Sequence, residues 1–165
     1  MRFLLVFKVL LFTVLVPGAV TLYFPDLLLS RSGFQVGSLA LAIPAAACIL
    51  IGTAIYLRCA WDFAIDGLGT PAPIDPPKML VVTGLYRCTR NPMYQGVFLI
   101  LLGECLLFLD RGLLIYTAAI ALVFHVSVVF YEEPALRSRF GASYTDYCRK
   151  VPRWDFAFRL FALNS

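Results

Sequence analysis

The sequence is short of charge. Asp, Glu, Lys and Arg make up 15% of its 165 residues, where an ordinary soluble domain carries about 25%. Histidine is almost absent, His125 being the only one. The five cysteines (Cys48, Cys59, Cys88, Cys105 and Cys148) form no C-x-x-C pair. A closed zinc site needs four nitrogen or sulfur ligands at short spacing, so these absences exclude one. The odd cysteine count argues against a disulfide framework. Cys48 and Cys105 read as small apolar membrane residues, the others as reduced thiols on the cytoplasmic side.

Apolar residues fill the space that charge leaves. They are 61% of the chain, and the mean hydropathy is +0.83. A soluble globule of this size cannot hide that much apolar surface, which excludes a soluble enzyme domain, a disordered chain and a fibrous repeat. The composition points to an all-α polytopic membrane protein. A net charge of +4 is mild, and with so few charges their placement matters more than their sum, so no nucleic-acid partner is expected.

Four apolar runs have the length of a spanning helix: Phe3–Phe24, Val36–Leu57, Met93–Leu109 and Gly112–Tyr131. Each is close to the ~20 residues that cross a bilayer. No A-x-A site follows the first run, so it reads as a span rather than a cleaved signal peptide. Only Asp110-Arg111 separates the last two runs, which therefore form an antiparallel hairpin. With the amino terminus in the cytoplasm, twelve basic residues fall on the cytoplasmic side and two, Arg31 and Arg111, on the other. That asymmetry predicts four spans with both termini cytoplasmic. The expected organisation is a single membrane domain, residues 1–57 forming two amino-terminal spans and residues 58–165 the chemical core.

Polar residues collect in two segments, Arg58–Pro92 and Glu132–Ser165. Six of the eleven residues from Gly67 to Pro77 are Gly or Pro, which excludes helix and central strand there. Lys78–Thr83 reads as a short extended run. Asn91-Pro92 is a helix-start signal, Asn as cap and Pro in the first turn. A helix amino terminus at the membrane boundary favours an anion, and Arg87 and Arg90 add positive charge beside it. Tyr86 and Tyr94 offer aromatic faces for a cation or an adenine ring, or form an interfacial belt.

Glu132-Glu133 follows the last span, where a helix carboxy terminus disfavours anions, so a compensating partner or ligand is expected. Leu136, Phe140, Tyr144 and Tyr147 form one stripe of an amphipathic cytoplasmic helix that packs on the bilayer or the spans, with Gly141 a point of weakness. His125 and Glu132, seven apart, share a helix face. Glu104 lies mid-span, and a neutral Glu104–His125 hydrogen bond would lock the hairpin.

Two motifs with their spacing, Gly84-x-Tyr86…Arg90-Asn91-Pro92-x-Tyr94-x-Gly96 and Glu132-Glu133-x-x-Leu136-x-x-x-Phe140-Gly141-x-x-Tyr144-x-x-Tyr147…Val151-Pro152, resemble one superfamily. It is that of the isoprenylcysteine carboxyl methyltransferases and phospholipid methyltransferases, integral-membrane enzymes. The resemblance covers residues 78–154. It implies methyl transfer from S-adenosylmethionine without a Rossmann domain, and the sequence has no G-x-G-x-x-G after a strand. It places the cofactor at the cytoplasmic membrane face, along Lys78, Met79, Leu80 and Val81, then Tyr86, then Asn91, Pro92, Met93 and Tyr94, and finally Glu132 and Glu133. Arg90 would attract the cofactor's carboxylate, and Glu132 would hold its amine or ribose. No metal is implied.

Asn91 stands where the isoprenylcysteine enzymes typically carry His, and Asn-Pro-Met-Tyr looks more like the phospholipid N-methyltransferases. Val128 stands where the former carry an Arg for the substrate carboxylate. A lipophilic acceptor drawn from the bilayer between the third and fourth spans is implied, a phospholipid-like amine ahead of a prenylcysteine carboxylate. An amine must lose a proton, which His125 or a Glu would receive, and no catalytic residue is assigned. Two other classes remain open on the sequence: an NADPH-dependent membrane reductase of the sterol-reductase type, and a small non-enzymatic membrane protein.

Overall fold

The structure, a computed structural model, describes residues 2–32, 38–65 and 79–155. The Gly/Pro-rich segment 67–77 and Lys78 lie outside the described residues. Among those described there is no strand, and seven α-helices follow in order: α1 (Arg2–Leu15), α2 (Phe24–Ser32), α3 (Leu39–Ile65), α4 (Pro92–Phe108), α5 (Arg111–Ser127), α6 (Glu133–Phe140) and α7 (Ala142–Lys150). Three helical stretches are long and apolar enough to cross a membrane, Leu10–Ser32, Leu39–Phe63 and Arg111–Phe140, and Pro92–Phe108 is a shorter apolar helix.

These stretches run past the apolar ends expected from the sequence. Helix α3 continues through Arg58 and Asp62, because the two charges are an i,i+4 pair with Nη2 3.2 Å from Oδ1. The first stretch continues past Phe24 to Ser32, and the last continues past Tyr131 to Phe140. Both of the latter contain a π turn just ahead of a proline: Ala19–Tyr23 before Pro25, and Val128–Glu132 before Pro134. The N–H of Phe24 reaches Ala19 O and that of Glu133 reaches Val128 O, each five residues back. A proline ring collides with the carbonyl four residues earlier and brings no N–H of its own, and a widened turn relieves both problems without ending the helix.

The wide turns leave carbonyls for other donors. Phe24 N–H has gone to Ala19, and residue 25 is Pro, so Val20 O lacks a helical donor. Tyr116 of α5 donates its hydroxyl to that carbonyl at 2.8 Å, and Thr21 donates to Pro17 O at 2.8 Å. In hydrocarbon such groups must be satisfied within the protein.

Helices α3 and α4 make the most extensive helix pair. Small residues set their separation: a Cβ on Gly52 would stand 2.6 Å from Gly96 O, and one on Gly103 would stand 2.7 Å from Ala45 O. Such close backbone approach is how membrane helices gain packing without a hydrophobic driving force. Helices α4 and α5 turn at Leu109-Asp110, where Leu109 is left-handed with φ 51° and Asp110 caps α5 by accepting from Leu113 N–H at 2.8 Å. They run antiparallel, with the Tyr94 and Phe124 rings 4.5 Å apart. Tyr56, Ala60, Val97 and Leu101 form the core where α3, α4 and α5 meet.

Two expectations fail here. Glu104 and His125 do not bond: pairing Tyr94 with Phe124 puts Glu104 ten residues, about 15 Å, further along the hairpin. His125 is exposed, and its Nδ1 accepts from Trp154 Nε1 at 3.2 Å. The single amphipathic helix of the carboxy-terminal segment is two helices, because Gly141 has φ +54° and ends α6.

Candidate functional site

At the end of the bundle where α4 begins and α5 passes into α6, the chain encloses a cavity of about 110 Å³. Three structural causes aim residues into it. The turn Gly84–Arg87 folds back on α3: Gly84 has φ +54°, and a Cβ there would collide with Asp62 Oδ2, so the position requires glycine. Pro92 starts α4 and directs Met93 and Tyr94 to the opening. The π turn at Val128–Glu132 presents Val128, Glu132 and Glu133 on one side.

Nine of the twelve residues expected at the site line this cavity: Leu80, Val81, Tyr86, Arg90, Asn91, Met93, Tyr94, Glu132 and Glu133. Met79 is 59% exposed and points away. Pro92 is fully buried in the packing beneath. Lys78 lies outside the described residues. Of the extended run expected at Lys78–Thr83, the described part, Met79–Thr83, has no helix and pairs in no ladder, and Thr83 is extended with φ −101° and ψ 171°.

Six other lining residues were not expected there: Phe63, Val128, Leu136, Phe140, Tyr144 and Tyr147. Four of them are the stripe read from the sequence as packing. Gly141 bends the chain so that both halves of the stripe face the cavity. The signal was visible, but its partner was not. Phe63 gave no signal, since α3 was expected to end before it. His125 lies on the outer surface. The π turn takes an extra residue, so a seven-residue spacing no longer keeps His125 and Glu132 on one face.

The two adjacent carboxylates have different surroundings. Glu133 is a hub: Arg90 Nη1 donates to its Oε1 at 3.0 Å, Arg153 Nε donates to Oε1 at 2.6 Å, and Arg153 Nη2 donates to Oε2 at 3.0 Å. The carboxylate in turn holds the Arg153 guanidinium above its usual pKa range. Glu132 has no cationic partner among the described residues, and Tyr94 donates its hydroxyl to Glu132 Oε1. Arg90 also donates to Cys148 Sγ at 3.0 Å, while its Nε is buried without a partner.

Asn91 occupies the cap position of α4 but does not cap it. Its Nδ2 donates to Arg153 O at 3.1 Å. Thr89 Oγ1 donates to the same carbonyl at 3.2 Å, and Arg90 N–H donates to Pro152 O at 2.9 Å. The segment Val151–Trp154 is thus strapped across the start of α4. Tyr147 donates to Tyr86 O at 2.6 Å. Burial pushes the phenols of Tyr86, Tyr144 and Tyr147 above their ordinary range, so they stay neutral.

The arrangement suits a ligand that carries both signs of charge beside a cationic centre. Aromatic rings and one uncompensated carboxylate attract a cation, and the unpaired Arg90 Nε fits an anion. No group of three or more potential metal ligands occurs among the described residues.

A family model described as phospholipid methyltransferase matches residues 41–143, well over half of the chain. That range takes in α3, α4, α5 and α6 and most of the cavity wall. Comparisons with curated proteins and with solved structures give no match.

Proposed function

Because the chain belongs to the phospholipid methyltransferase family, we propose that it is an integral-membrane enzyme transferring a methyl group from S-adenosylmethionine to a phospholipid-like amine. The observation that carries this is the meeting of Tyr94 and Glu132 in one cavity between the start of α4 and the end of α5. The chemistry of the lining supports the cofactor: S-adenosylmethionine carries a carboxylate, an ammonium and a sulfonium, and the cavity offers Arg90 Nε, Glu132 and tyrosine faces. The volume of about 110 Å³ is below the ~300–1,000 Å³ of typical ligand pockets. Arg90, Glu132 and the tyrosines would hold the cofactor's charged end there, and Leu80 and Val81 would offer apolar surface to the remainder.

Bound there, S-adenosylmethionine supplies a methyl group already activated on sulfur. The protein's task is then alignment and exclusion of water, and good orientation is worth about 7–11 kcal/mol. Phe124 holds the Tyr94 ring, and Tyr94 fixes Glu132 through Oε1, leaving Oε2 for the ligand. Glu132 Oε2 attracts the cationic groups and, for an amine acceptor, takes the departing proton. His125, on the outer surface, is not available for that step. Val128, Leu136 and Phe140 keep water out on the bilayer side. The acceptor comes between α4 and α5, with four spans and both termini cytoplasmic, in keeping with the placement of basic residues.

The test is incubation of the purified protein with labelled methyl donor and a total lipid extract. Label in an amine headgroup is the expected result. Binding of NADPH in place of S-adenosylmethionine would refute the proposal.

A further inference from the structure

Arg153 lies ten residues beyond the segment matched by the family model, yet it makes more polar contacts to the site than any other residue of the strap. Its guanidinium takes Glu133 by two bonds, 2.6 Å from Nε and 3.0 Å from Nη2. Its own carbonyl accepts from Thr89 and Asn91. One residue therefore ties the Glu-Glu motif to the start of α4. With Arg153 on both oxygens, Glu133 meets Arg90 by one bond, from Nη1 to Oε1. The bond to Nη1, with Cys148 on the same nitrogen, fixes the Arg90 fork and leaves Nε of this cavity-lining residue buried without a partner.

We infer that Arg153 is a positioning residue: by occupying Glu133, it keeps that carboxylate from drawing the whole Arg90 guanidinium into a two-pronged pair, and so leaves Arg90 Nε for an anionic group of the ligand. This rests on the proposed function for the identity of the ligand, the cofactor carboxylate. Without Arg153, Glu133 turns both oxygens to Arg90, since a two-pronged arginine–carboxylate pair is the favoured geometry. The fork then leaves Cys148 and the cavity.

The test uses full-length protein in detergent, with Arg153→Ala, Arg153→Lys and, as control, Arg149→Ala, whose partner Asp146 is on the exposed face of α7. Arg153→Ala is expected to raise the Kd and KM for S-adenosylmethionine about tenfold, with the KM for the lipid acceptor unchanged. Millimolar guanidinium restores binding, and Arg149→Ala behaves as wild type. In protein without ligand, alkylation of Cys148 by iodoacetamide, read by peptide mass, becomes severalfold slower as Arg90 withdraws from the sulfur, because a neighbouring cation promotes thiol alkylation.

A folded Arg153→Ala with wild-type affinity and wild-type Cys148 reactivity would overturn the inference, as would equal loss of affinity for both substrates. If Arg153→Ala does not fold, Arg153→Lys decides: weaker cofactor binding supports the role, and unchanged binding overturns it. Should wild-type protein not bind S-adenosylmethionine at all, the proposed function fails, while the Cys148 rate still decides the role of Arg153.

Discussion

Tyr94 and Glu132, thirty-eight residues apart, meet through a hydrogen bond from the phenol to Oε1, and this contact joins the two arms of the hairpin at its open end. Glu132→Ala should weaken binding of S-adenosylmethionine by about tenfold or more, as loss of a buried charge partner does, while the protein still inserts and elutes as wild type. Tyr94→Phe keeps the ring and its contact with Phe124 but releases Glu132, and should lower kcat more than affinity. Isothermal titration alongside turnover checks both. Normal binding by Glu132→Ala would refute the assignment of the site.

Tyr116→Phe removes the only described donor to Val20 O, in a wide turn where Pro25 has no N–H to offer. Cross-helix hydrogen bonds in membranes are worth about 0.6 kcal/mol on average, up to about 1.7. Because the carbonyl would remain unsatisfied, a loss near the upper figure is expected. Unfolding in mixed micelles measures it, and cofactor affinity should be unaffected.

Gly103→Ala should destabilise by about 1–3 kcal/mol, the usual range for overpacking. The added Cβ would sit 2.7 Å from the backbone oxygen of Ala45, which cannot swing aside as a side chain would. Gly141→Ala meets nothing within 4 Å, and its cost comes from the backbone alone, φ +54° with ψ −124°, about 1–3 kcal/mol. Comparing the two melting temperatures separates steric from backbone strain.

Asp110 supplies a pH dependence. The N–H of Leu113 holds its carboxyl below the usual range. A lowered folded pKa means stability that is complete above the unfolded value of about 3.9 and is lost as pH falls through the lower folded value. Thermal melts of wild type should therefore drop in strongly acidic buffer. Asp110→Asn, which keeps an acceptor without the charge, should flatten that part of the profile.

The all-helical class, the hairpin turn and much of the site were legible from residue order. An apolar run of this length has few alternatives in structure, and Asn91-Pro92-x-Tyr94 and Glu132-Glu133 mark their own places on the chain. The helix ends were not legible. Apolar stretches stop at Arg58 and Glu132, but an i,i+4 ion pair carries one helix on, and a π turn ahead of Pro134 carries the other.

The sequence by itself determined that charge and aromatic surface gather near the membrane boundary, because solvation disfavours charge deeper in hydrocarbon, where Glu104 is the exception. Tertiary structure decided what those residues do to one another. Only the folded chain brings Arg153 to Glu133 and Tyr94 to Glu132, distinguishing two adjacent carboxylates of identical chemistry. Only it turns the stripe from Leu136 to Tyr147 into a cavity wall. Those roles depend on distances between segments far apart in the chain, and local periodicity does not encode such distances.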